Sequence, residues 1–195
     1  MSSSFTSPIA LLAADDPQLR ESGAKELYSD GCALAGRATG HWWKESELMS
    51  LLGAPNPAIT VGVAVSPERF QAIRAANGSP RLSDVPPDQD AQEFELHFGG
   101  GVALDILTTK DPNGSGAIAR YLAKWKGGIQ QVEFRCKDVD RATEILRDRF
   151  GVTTIYPATR PGADGTQVNF FLLTDPEGFK VLVELYELSQ QRFGH

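Results

Sequence analysis

Gln131, Glu133 and Arg135 alternate with Val132, Phe134 and Cys136 in the stretch GIQQVEFRC. Successive side chains of a strand point to opposite faces, so three long polar groups share one face and three apolar groups the other. The same division recurs along the chain. QEFELHF sets Glu93, Glu95 and His97 against Phe94, Leu96 and Phe98, and VALDILTT sets Asp105 against Val102, Leu104 and Ile106. FKVLVELYE sets Glu184 and Tyr186 against Val181, Val183 and Leu185. Carboxylates and an imidazole can move protons, and a guanidinium can hold an anionic oxygen. Such a face either meets water, as one side of an antiparallel sheet can, or lines a pocket. By the same alternation it also holds Gly62, Ala64, Ala103, Leu107, Phe171, Leu173 and Leu182. Small, apolar and convergent polar groups together are what ligand pockets use.

Two turns set the expected registers. A GGG turn pairing Phe98 with Val102 places His97 across from Ala103, with Asp105 on the same face. A turn centred on Pro176-Glu177 places Asn169 beside Glu184.

These strands need helices to cover their apolar faces. SPERFQAIRAANG predicts a helix capped by Ser66, with Pro67 at its first position and Gly78 after its end. KDVDRATEILRDRFG predicts another, capped by Asp138, with Val139, Ala142, Ile145 and Leu146 as its apolar stripe. Strand, helix and an antiparallel set thus occur twice, at a spacing of about 70 residues. Neither copy alone would bury both faces of its sheet. Residues 1–57 differ: they predict a helical extension, with an interruption at Asp30-Gly31 and a second helix over HWWKESELMSLLG, closed by the linker APNPA. Trp42 and Trp43 either pack against the main body or belong to a lid over a pocket. The expected organisation is this extension, a first module with its connector over 58–125, and a second module with a C-terminal tail over 126–195.

Bulk properties narrow the function classes. The chain has 195 residues, is 41% hydrophobic and 23% charged, and is globular in composition. A net charge of −6 argues against a nucleic-acid partner and gives no encouragement to membrane-surface binding. The apolar piece Pro8 to Ala14 lacks a preceding basic residue, which makes it a poor secretory signal and leads to a cytoplasmic expectation. Two cysteines, Cys32 and Cys136, without CxxC spacing read as thiols rather than a disulfide.

The second copy resembles the vicinal oxygen chelate superfamily, the glyoxalase and bleomycin-resistance-like proteins. The residues that carry this are KDVDRATEILRDRFGV and DGTQVNFFLLTDPEGFKVLVELYE, with a DPEG turn between apolar strands and Glu184 in the last strand. GSGAIARYLAKWKGGIQQVEF is similar to the corresponding segment of methylmalonyl-CoA epimerases. The match spans roughly residues 58–187. The resemblance implies an α+β fold of two βαβββ modules forming a curved mixed sheet around a cavity, and a homodimer. It also implies a divalent metal held at four strand positions, which fall here on Thr60, Asp105, Gln131 and Glu184. The family typically has histidines at the positions of Thr60 and Gln131.

Without those imidazoles, Fe(II) oxygen chemistry and zinc are not expected. Two carboxylates with amide and hydroxyl oxygens suit a hard cation such as Mg²⁺, Mn²⁺ or Ca²⁺. The alternative is a metal-free pocket in which Thr60 and Gln131 bind substrate by hydrogen bonds. His97 is either a replacement ligand or a hydrogen-bonded wall residue.

Two functions remain open. One is an isomerase, epimerase or cyclase that moves a proton on a small enolisable carbonyl compound such as an intermediate of secondary metabolism. Glu133, Glu184, Asp105 or His97 would then be the base and Arg135 the oxyanion holder, with Asp88 in the place of a loop base of epimerase-like members. The other is a non-catalytic small-molecule binding or resistance protein, with Trp42, Trp43, Tyr186 and Phe171 as aromatic walls; in either case Asn169 is a further substrate-binding residue.

Overall fold

A computed structural model of the chain describes residues 7–188. The elements in chain order are α1 (Pro8–Leu11), α2 (Pro17–Thr39), α3 (Ser46–Leu51), β1 (Ile59–Ala64), α4 (Pro67–Ala76), β2 (Gln92–Phe98), β3 (Val102–Thr108) and α5 (Ala117–Trp125). They continue with β4 (Gly128–Arg135), α6 (Val139–Phe150), β5 (Arg160–Pro161), β6 (Gln167–Thr174) and β7 (Lys180–Glu187). The class is α+β. Two compact units share these elements: residues 1–33 with 60–131, and residues 34–59 with 132–195. The expected extension over 1–57 is thus divided between the units. The expected C-terminal tail, from residue 189 on, lies outside the described residues.

In the first unit, β3 lies between β2, antiparallel to it, and β1, parallel to it. The GGG turn works as expected. Gly100 and Gly101 take φ values of 76° and 78°, a region open to glycine, and Phe98 pairs with Val102 and His97 with Ala103. Three strands form here, because RLSDVPPDQD runs as loop and turn where a βαβββ module would have another strand. On the covered face the Phe70 ring of α4 stands 4.8 Å from that of Phe94. Ala64, Ala91, Leu107 and Ile118 form a further cluster, with Val85, Tyr121 and Leu122 packed on it.

Helix α2 is not interrupted at Asp30-Gly31. A Cβ on Gly31 would lie 2.5 Å from Val61 Cγ2, so this glycine serves close approach of helix to strand. In the 42–51 region the expected single helix is broken. Trp42–Lys44 form a 3₁₀ turn, and Glu45 then caps α3 by accepting from Leu48 N at 2.5 Å.

In the second unit the strand order is β4-β7-β6-β5, with β4 and β7 parallel and the remaining pairs antiparallel. Helix α6 follows its signals: Asp138 accepts from Arg141 N at 2.8 Å, and Gly151 ends the helix with φ 63°. Trp42 is 0% exposed and packs with Phe134 and Phe171, each ring centroid 6.4 Å away; Trp43 stands 6.1 Å from Phe134.

The β6–β7 register differs from expectation. Thr174 pairs with Lys180, so Asn169 faces Leu185, and Phe170 is the residue beside Glu184. The turn is one residue longer than a Pro176-Glu177 centre requires. Asp175 shapes it, with Oδ1 accepting from Glu177 N at 2.9 Å and Phe179 N at 2.8 Å, and Oδ2 accepting from Arg37 Nε at 3.2 Å. A shift of one residue turns every side chain of a strand to the other face. Asn169, Phe171 and Leu173 therefore join the face packed under α6, where Asn169 is 0% exposed and reaches Thr143 Oγ1 at 3.5 Å.

Candidate functional site

Residues paired in register on neighbouring strands present their side chains on the same face. In the second unit Glu133 pairs with Glu184, and Arg135 with Tyr186. Phe170 pairs with the same Glu184, and Leu172 with Leu182. One face of β4, β7 and β6 thus carries two adjacent carboxylates, a phenol and an apolar shoulder of Phe170, Leu172 and Leu182. Neighbouring strands lie about 4.8 Å apart, which puts the two carboxylates within reach of a single small group. Glu133 is buried, whereas Leu172 is 50% exposed, so the shoulder is open. The Tyr156 ring, 6.0 Å from that of Phe170, backs this shoulder.

Thr60, Asp105 and Gln131 belong to the first unit and are all buried. The β1–β3 register sets Gly62 beside Asp105, which places Thr60 on the same face as Asp105. Gln130 points opposite to Gln131, and its Oε1 is buried without a hydrogen-bond partner among the described residues. His97 lies on the edge strand β2, 67% exposed, with Nε2 2.9 Å from Glu95 Oε2. Asp88 is exposed in the turn that precedes β2.

The residues at the four expected ligand positions supply one carboxylate, one hydroxyl and one amide in the first unit and one carboxylate in the second. Among the described residues no three His, Cys, Asp or Glu side chains gather as in a histidine- or thiolate-held metal site. These donors do not fit a histidine-rich metal centre.

Two features were not singled out from sequence. Asp90 ties the loop before β2 to the residues after β3: it accepts from Thr109 Oγ1 at 2.6 Å, Lys110 N at 2.9 Å and Asp111 N at 3.1 Å. The Thr109 hydrogen bond is the main reason its carboxyl lies below the ordinary value; partial burial opposes the effect and the two backbone amides add to it. The other is a recess of ≈ 460 Å³ in the second unit, whose lining includes Leu51, Leu52, Arg135, Lys137 and Glu187. Its one sequence signal is the pair of cations at i and i+2 at the end of β4.

Solved structures show the same architecture. Methylmalonyl-CoA epimerase from Mycobacterium tuberculosis aligns with a TM-score of 0.54 and 28% identity, covering 68% of this chain and 87% of that one. The fold is that of the vicinal oxygen chelate superfamily. A hypothetical protein from Bacillus halodurans also shares the fold, with a TM-score of 0.54, 23% identity, and 69% and 96% of the two chains covered. So does a Streptomyces coelicolor methylmalonyl-CoA epimerase in complex with 2-nitronate-propionyl-CoA, with a TM-score of 0.51, 23% identity, and 67% and 95% covered. No family model and no curated protein matches the chain by sequence. No helix among the described residues is long and apolar enough to cross a membrane.

Proposed function

We propose that the chain is an epimerase- or isomerase-type enzyme that moves a proton at the carbon next to a carbonyl group, with Glu133 and Glu184 as its acid–base pair. The observation that carries this reading is their register: the two carboxylates are direct neighbours on parallel strands of one face. Adjacent carboxylates resist being ionised together and are disposed to hold one proton between them. The ionised member would take the α-proton while the protonated member hydrogen-bonds the carbonyl oxygen, where the enolate charge develops. Return of the proton to the same face of the carbon regenerates the substrate with its α-hydrogen exchanged, and delivery of a proton to the opposite face inverts the carbon and completes an epimerisation. Phe170, Leu172 and Leu182 would hold the apolar part of the substrate and keep water from the enolate.

Two of the similar solved structures are epimerases whose names specify methylmalonyl-CoA. Acyl thioesters with an acidic α-hydrogen are therefore the first compounds to try, followed by free 2-oxo acids. The test is exchange of the α-hydrogen for deuterium in D₂O, followed by NMR, with Glu133→Gln and Glu184→Gln as controls. Catalysed exchange that falls by about 10²-fold or more in each variant supports the reading, since general acid–base groups typically contribute that much. Saturable binding with every compound recovered unexchanged would instead establish a binding protein.

A further inference from the structure

The recess of the second unit lies outside the proton-transfer pair, since neither Glu133 nor Glu184 lines it. Its walls are stitched by backbone bonds from the end of β4: Arg135 N donates to Ala58 O at 3.1 Å and Lys137 N to Leu51 O at 3.0 Å. Leu51, Leu52 and Leu188 supply apolar wall, and Arg135 and Lys137 supply two cations. Among the described residues neither cationic side chain has a hydrogen-bond or ion-pair partner. Glu187 also lines the recess, but its Oε2 accepts from Val139 N at 3.1 Å, at the first turn of α6, where the helix dipole favours a negative charge. Cys136 adds no reactive group, because burial pushes its thiol up to about 11 and its Sγ donates to Asp138 O at 3.2 Å.

Two cations beside leucine walls fit an anionic head with a short aliphatic body. A bare inorganic anion would leave the leucines uncovered, and a neutral alkane chain would leave the cations unpaired. The volume of ≈ 460 Å³ is in the range of small-molecule pockets. We propose that this recess binds a small organic carboxylate, its carboxylate between Arg135 and Lys137 and its alkyl chain against Leu51, Leu52 and Leu188. This site stands apart from the proton-transfer reading and holds whether or not Glu133 and Glu184 are catalytic.

The test is calorimetric titration of the full chain with hexanoate, with hexanol and inorganic phosphate as the two partial mimics. Expected are saturable hexanoate binding at one site, and binding of either mimic at least roughly tenfold weaker. Arg135→Gln and Lys137→Gln, both on exposed side chains, should each weaken hexanoate by about tenfold with an unchanged thermal midpoint. Glu133→Gln should bind hexanoate as the parent does, which keeps failure of this site distinct from failure of the catalytic reading. Absence of saturable binding, phosphate binding as tight as hexanoate, or undiminished affinity in the Arg135→Gln, Lys137→Gln double variant would overturn the proposal.

Discussion

Glu133 on β4 and Glu184 on β7 stand side by side, in register, on one face of a parallel strand pair. A carboxylate-to-amide change keeps the size of the side chain, so Glu133→Gln should leave folding stability within about 1 kcal/mol of the parent while lowering α-hydrogen exchange. Urea denaturation alongside the exchange assay checks both. A variant that loses stability and activity together would make Glu133 a structural residue.

Trp42 should be a main anchor of the second unit. Trp42→Ala removes a fully buried ring packed on Phe134 and Phe171 and should cost about 3–5 kcal/mol. Trp42→Phe should cost much less. The indole Nε1 is buried without a hydrogen-bond partner among the described residues, so its loss breaks no bond. Chemical denaturation of both variants separates ring packing from the polar group.

Gly31→Ala should destabilise the first unit. The added methyl would lie 2.5 Å from Val61 Cγ2, inside a packed contact. Overpacking of this kind costs about 1–3 kcal/mol, although alanine is the better helix former. Gly36→Ala in the same helix meets nothing within 4 Å and should be neutral or stabilising. The opposite signs are readable in thermal midpoints.

Asp90 gives a pH signature. Its carboxyl lies below the ordinary value of 3.8, so the folded chain binds this proton less readily than the unfolded chain does. The stabilisation is therefore fully present above that ordinary value and is lost as pH falls through the lower folded-state value. Asp90→Asn should lower the thermal midpoint at pH 7, and the gap from the parent should begin to narrow below about pH 4 and close as pH falls through the folded-state value. A gap that stays constant from pH 7 to pH 3 would assign the loss to packing instead.

Much of the fold is legible because its signals are local. Ser66 and Asp138 cap the helices they precede, and the GGG turn sets β2 against β3 in the expected register. Each depends on a few adjacent residues and their own backbone hydrogen bonds. The carboxylate face of β4 and β7 is legible for the same reason, since alternation within a strand needs no partner.

Tertiary structure decided the rest, and in each case the reason is a contact between residues distant in sequence. Gly31 reads as a helix breaker until Val61 is seen against it. Trp42 could serve a lid or a core until Phe134 and Phe171 surround it. Asn169 leaves the carboxylate face for the core because Asp175, held partly by Arg37, lengthens the turn by one residue and shifts the register. The amino-acid sequence alone determined which side chains share a strand face. Only the folded chain decided which strands are neighbours and in what register, and so set Glu133 beside Glu184 and Phe170 where Asn169 was expected.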